Sequence, residues 1–125
     1  MTRSALTVAA LALLAAGCGG HDRPGGTVTA PAGGSVRVTA KEYSFDPSTI
    51  VVPKAGALRL TLANRGSLAH NIKVEKDGRV LGGTPAFPAG ETRSATVRLP
   101  KGTYDFLCTV GDHAELGMKG TLKVG

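Results

Sequence analysis

Hydrophobic residues recur at every second position along much of the chain after residue 35, and that period restricts the fold more than any other feature. Val36, Val38 and Ala40 alternate with Arg37, Thr39 and Lys41. Leu58, Leu60 and Leu62 alternate with Arg59 and Thr61, and Val97 and Leu99 with Thr96 and Arg98. Side chains on a strand point to opposite faces in turn, so each run offers one face to a core and one to water. Between the runs stand residues that reverse a chain: Asp46-Pro47, Pro53 to Gly56, Asn64 to Gly66, Asp77-Gly78, Pro88 to Gly90 and Pro100 to Gly102. About seven or eight short strands follow, which predicts an all-β fold, an antiparallel Greek-key sandwich or barrel over residues 35–125. After the N-terminal segment no helical period appears, although Asp112 to Leu116 has room for one turn, and there is no internal repeat.

The N-terminal segment has a different character. Arg3 gives it a positive start, Leu6 to Ala16 is apolar apart from Thr7, and Gly17-Cys18 follows. This pattern predicts an export signal over residues 1–17, with an apolar run too short to span a bilayer as mature structure. Leu14-Ala15-Ala16-Gly17-Cys18 resembles a bacterial lipobox, in which the cysteine is lipidated and begins the mature chain; Ala15 stands where Leu is commoner. The resemblance implies a lipoprotein held to the cell membrane, outside the cytoplasm, through Cys18. Residues 19–34, rich in Gly and Pro, have little to bury and read as a flexible tether. His21 lies in this tether and reads as solvated.

The chain has two cysteines. In an exported protein they suggest a disulfide, and a Cys18 to Cys108 bridge is one reading. Lipidation of Cys18 is the other. It leaves Cys108 as a lone thiol in an oxidising compartment, a hazard unless a metal holds it as thiolate. The formal charge of +6 loses one unit with Arg3, and the basic residues are scattered rather than clustered, so nucleic acid is not an expected partner. A basic surface suits acidic partners or anionic lipid, and it also serves plain solubility.

One stretch carries chemistry: Tyr104 to Gly120 contains Cys108, His113 and Met118 in a Cys-x4-His-x4-Met arrangement. Cys108 shares the parity of Tyr104 and Phe106, which points it inward at the end of a strand. The same parity relates His70 to Ile72 and Val74, while Asn71, Lys73 and Glu75 point elsewhere. Taken singly, an inward His is often a satisfied core residue, a lone Cys a small buried hydrophobe, and Met a gap filler. Taken together, two His and one Cys form a trigonal set, and a weak axial Met completes the arrangement that selects copper for electron transfer. Zinc calls for four strong ligands.

With these residues the sequence resembles the cupredoxins, the plastocyanin and azurin family of small blue copper proteins, over Val36 to Val124. The resemblance rests on His70-Asn71, the Cys108 to Met118 loop, and Gly117-Met118-Lys119-Gly120 before the last strand. It implies one type 1 copper ion, cycling between Cu(I) and Cu(II), with His70, Cys108 and His113 as strong ligands and Met118 as the axial one. It also implies that the backbone N–H of Asn71 donates to the Cys108 sulfur and that the Asn71 side chain ties across to Thr109, orienting the ligands from outside the metal's own shell. The chain departs from the family in having Gly111-Asp112 where many relatives have Pro-Gly, a Cys-to-His spacing longer than plastocyanin's, and no azurin-type disulfide. The implied role is a monomeric electron carrier, not an enzyme, exchanging electrons with a cytochrome, oxidase or reductase at an apolar surface around His113, which Phe87-Pro88 is expected to widen. Copper capture or delivery is the alternative. A copper enzyme needs further histidines, and only His21 remains. A metal-free adhesive sandwich leaves Cys108, His113 and Met118 without a purpose.

Overall fold

The computed structural model describes residues 25–31 and 33–125; the signal segment, Cys18 and His21 lie outside them. Ten strands are present among the described residues: β1 (Thr27–Thr29), β2 (Ser35–Lys41), β3 (Ser44–Asp46), β4 (Thr49–Val52), β5 (Gly56–Asn64), β6 (Lys73–Lys76), β7 (Arg79–Gly83), β8 (Thr92–Leu99), β9 (Gly102–Leu107) and β10 (Lys119–Val124). They form a six-stranded sheet, ordered β1-β4-β10-β9-β6-β7, and a four-stranded sheet, ordered β3-β2-β5-β8.

The period of two places side chains as the sequence predicts. Val36, Val38 and Ala40 from β2, Leu58, Leu60 and Leu62 from β5, and Val97 and Leu99 from β8 are buried on one face of the smaller sheet. Tyr104 and Phe106 from β9 and Leu122 and Val124 from β10 supply part of the other layer. Burying each larger aliphatic or aromatic side chain stabilises the fold by about 1.5–3 kcal/mol, so these alternating faces are the main source of its stability. Asp77 and Gly78 both take positive φ, 52° and 74°, in the two-residue turn that joins β6 to β7. That pair of left-handed residues matches the twist of an antiparallel hairpin, which is why Asp-Gly stands there. At the β8–β9 corner the Tyr104 hydroxyl donates to the Pro100 carbonyl at 2.6 Å, holding the turn.

The all-β sandwich is as expected, with three corrections. First, the sheets are mixed rather than antiparallel: β1 with β4, β4 with β10, and β2 with β5 pair in parallel. Alternation reports which side of a strand is buried and carries no information about a neighbour's direction. Second, there are ten strands rather than seven or eight, because β1 and β3 are three-residue edge strands too short to show a period. Third, the folded domain begins before residue 35. Thr27–Thr29 pairs with Thr49 to Val51, and Ala30 is buried, so the latter part of the expected tether is sheet. All three β1 residues are exposed, and their hydrogen bonds leave no hydrophobic pattern to read.

The strands also fix where the loops meet. The register pairs Lys73 of β6 and Lys119 of β10 with Leu107 of β9, and Ala40 of β2 with Asn64 of β5. The ligand-bearing loops, 65–72 and 108–118, therefore open near one another at one end of the sandwich.

Candidate metal centre

Cys108 directly follows β9, and its backbone N–H continues the ladder by donating to the Met118 carbonyl at 3.1 Å. Its side chain is fully buried on the face shared with Tyr104 and Phe106, as parity predicts. The chain then makes one tight turn. His113 N–H donates to the Val110 carbonyl, Leu116 N–H to Asp112, and Met118 N–H back to His113, each at 3.0–3.1 Å. Asp112 to Leu116 thus forms the single turn the sequence has room for. Gly111 and Gly117 take positive φ, 49° and 111°, at either side of it, conformations that cost a side-chain-bearing residue more. Gly111-Asp112 therefore supplies the reversal by glycine flexibility where Pro-Gly was the pattern of comparison.

His70 is not in a strand. It forms an isolated antiparallel bridge with Phe87, with backbone bonds of 3.3 and 3.0 Å, ahead of β6. The inward parity with Ile72 and Val74 nevertheless holds, and all three are fully buried. Phe87 is itself buried and pairs with the His70 backbone, so of the expected Phe87-Pro88 surface only Pro88 is exposed.

These segments bring three donor atoms together. The Cys108 Sγ lies 3.9 Å from His70 Nδ1 and 3.5 Å from His113 Nδ1, and the three ligand atoms are all within 4.8 Å of one another. A first-row metal with bonds of about 2.0 Å to nitrogen and about 2.3 Å to sulfur separates the two donors by roughly 3.5–3.7 Å at trigonal or tetrahedral angles. The residues therefore fit a metal without large movement. The identity of the metal follows from the fourth side chain: Met118 is fully buried and its backbone is bonded to both Cys108 and His113. A thioether added to a sulfur and two imidazoles would be a soft, weak donor, suited to copper rather than to structural zinc. Together His70, Cys108, His113 and Met118 fit a single type 1 copper site.

The surroundings hold this set in place. Asn71 Nδ2 donates to Thr109 Oγ1 and Thr109 N–H donates to Asn71 Oδ1, both at 2.8 Å, which joins the residue after His70 to the residue after Cys108. Asn71 is buried rather than turned outward as parity suggested, because those two bonds satisfy its amide. Both imidazoles make close contacts to the Cys108 sulfur. The rings of His70 and His113 lie 5.0 Å apart, and Tyr43 packs edge-on against His113 at the same centroid distance.

Three supporting residues were not singled out from sequence. Buried Asn64 donates to the carbonyls of Leu68 and Phe87 and accepts from Gly66 N–H, pinning the start of the His70 loop. Thr84 Oγ1 accepts from Ile72 N–H at 3.2 Å. Glu42, in the turn directly after β2, accepts at one carboxylate oxygen from Ser67 N–H, Leu68 N–H and His70 Nε2. The backbone bonds from Leu68 and Ser67, aided by the His70 ring, hold its pKa down to about 2. Asn64 had been legible only as a turn residue; Thr84 and Glu42 had no local signal, because their partners lie 12 and at least 25 residues away.

Four such donors at one end of a two-sheet sandwich define a small copper-binding β protein. The chain belongs to the cupredoxin-like domain family, whose model matches residues 6–124. Among solved structures it is similar to a reduced auracyanin from the photosynthetic bacterium Roseiflexus castenholzii, at 22% identity and a TM-score of 0.66, over 73% of this chain and 96% of that one. It is similar to auracyanin B at 27% identity and a TM-score of 0.67, covering 73% and 88%. Rusticyanin from Thiobacillus ferrooxidans matches at 21% identity and a TM-score of 0.64, covering 79% and 82%. No curated protein matches the chain in sequence.

Proposed function

We propose that the protein is a one-electron carrier working outside the cytoplasm, held to the membrane by a lipid on Cys18. Copper, when bound, supplies the chemistry by accepting and releasing a single electron. What this chain's residues do is keep the ligand atoms where either oxidation state needs them. The observation that carries the reading is that the fold brings the donor atoms of His70, Cys108 and His113 within 4.8 Å of one another. Donors that are buried and tied by the Asn71–Thr109 bonds have little to rearrange when the charge of a bound ion changes, and that favours electron exchange.

The surface supports the same reading. His113 keeps 7% of its area exposed while the other three donors have none. Leu116, in its own loop, and Leu68, in the opposite one, are exposed apolar residues at this end of the sandwich. An imidazole that reaches the surface gives an electron a short route to a redox partner such as a cytochrome, oxidase or reductase. With three histidines in the whole chain, two of them in this site, a second copper of the kind enzymes use lacks ligands.

Copper titration of the soluble domain, followed by visible absorption and electron paramagnetic resonance, tests the role. Stoichiometric binding with reversible redox cycling supports the carrier, whereas ready loss of Cu(I) to a competing chelator supports copper delivery. Replacement of Cys18 by Ser is expected to release the protein from membranes in cells and leave the copper spectrum unchanged; continued membrane association removes the lipoprotein reading.

A further inference from the structure

We propose that Glu42 is a positioning residue for the metal centre: its carboxylate fixes the tautomer of His70 and strengthens that ring as a donor. The inference rests on the copper-site reading above, but part of its test is independent of copper. His70 turns Nδ1 toward the Cys108 sulfur and Nε2 toward Glu42 Oε1, at 3.1 Å. A carboxylate oxygen only accepts, so Nε2 must carry a proton, and in the neutral ring that leaves the Nδ1 lone pair free for a metal. A negatively charged acceptor also adds electron density to the ring, making it a better donor to the more highly charged Cu(II).

The carboxylate is itself fixed. Ser67 N–H at 2.6 Å and Leu68 N–H at 2.9 Å donate to the same oxygen, so the turn after β2 is tied to the loop that carries the ligand. Gly66 makes the approach possible. A Cβ at this position would overlap Glu42 Oε1 and come within 2.9 Å of His70 Nε2, and the Gly66 backbone is not in the left-handed region. The demand on Gly66 is therefore for space beside the Glu42–His70 contact, which gives a second, independent way to disturb it.

Three variants separate positioning from loop support. In the metal-free protein, nitrogen NMR of His70 is expected to show the Nε2–H tautomer with a slowly exchanging proton. Glu42→Ala should lose that protection and bind copper roughly 10–100-fold more weakly. Gly66→Ala should give the same loss of protection with the carboxylate still present. Glu42→Gln keeps an acceptor oxygen for Ser67, Leu68 and His70 but removes the charge; it should retain the tautomer and raise the reduction potential of the copper-loaded protein. If Glu42→Gln leaves the potential unchanged, the carboxylate's charge does not strengthen the ring as a donor and that half of the proposal is wrong. If the His70 tautomer is indifferent to Glu42→Ala, the positioning role is wrong. Failure of the wild-type protein to bind copper, with the tautomer still set by Glu42, would overturn the metal reading and the electronic half of the proposal but not the positioning of His70.

Discussion

The two histidine ligands are held in opposite ways. His70 is anchored by residues far away in sequence: Phe87 bonds its backbone on one side, Glu42 takes its ring on the other, and the neighbouring Asn71 reaches Thr109 across 38 positions. His113 is held by its own loop, through backbone bonds to Val110 and Met118, with Tyr43 against its face. One ring is sealed in the core and the other meets the surface. The difference teaches a division of labour, in which long-range bonds fix the buried half of the cage and a short local turn presents the exposed half to solvent.

The largest effect should come from the residue both halves share. Cys108→Ser removes the soft thiolate, and the intense visible colour of the Cu(II) protein is expected to vanish; a variant that stays blue removes Cys108 from the site. Next, Asn71→Ala breaks the tie between the two halves and leaves Thr109 without its partner. Denaturant unfolding of the metal-free protein should show a loss of about 1–3 kcal/mol. A double-mutant cycle with Thr109→Ala should return a coupling of about 0.5–3 kcal/mol, and strict additivity would show that the halves are not joined there.

Met118→Leu conserves volume in a fully buried position, so its cost in stability should be below about 1.5 kcal/mol, with copper retained. Losing a thioether destabilises Cu(II) more than Cu(I), so the potential should rise, whereas Met118→Gln, with a harder oxygen, should lower it. Voltammetry showing both shifts in one direction would count against an axial Met118. The smallest structural effect belongs to the exposed half. Leu116 is 52% exposed, and Leu116→Ser should change stability by less than about 0.5 kcal/mol while slowing electron exchange with a redox protein, measured by stopped flow.

The same contrast explains what the sequence made legible. The local half reads directly, because Cys108, His113 and Met118 lie within eleven residues and the turn between them has its own glycines. Strand faces read equally well, since parity is a property of neighbouring residues; Leu58, Leu60 and Leu62 behave as their alternation dictates. The anchoring half does not. Glu42 looks like one acidic residue on a basic chain, Gly66 like part of a turn and Asn64 like another, and nothing near them reveals that they converge on one loop. Parallel pairing of β2 with β5 escapes for the same reason: alternation is local, while strand neighbours are chosen by the whole chain.

The short first strand has a consequence for handling the protein. β1 lies along the outer side of β4, where Ala30 N–H donates to Val51 and the Gly26 carbonyl accepts from Ser48 and Thr49. A chain cut at Ser35, where the hydrophobic pattern begins, would strip this cover and leave the outer backbone groups of β4 unpaired. An open edge of that kind is a template for adding another molecule's strand. The three residues of β1 contribute no core of their own, yet a form that retains Gly25 onward keeps the outer backbone groups of β4 paired.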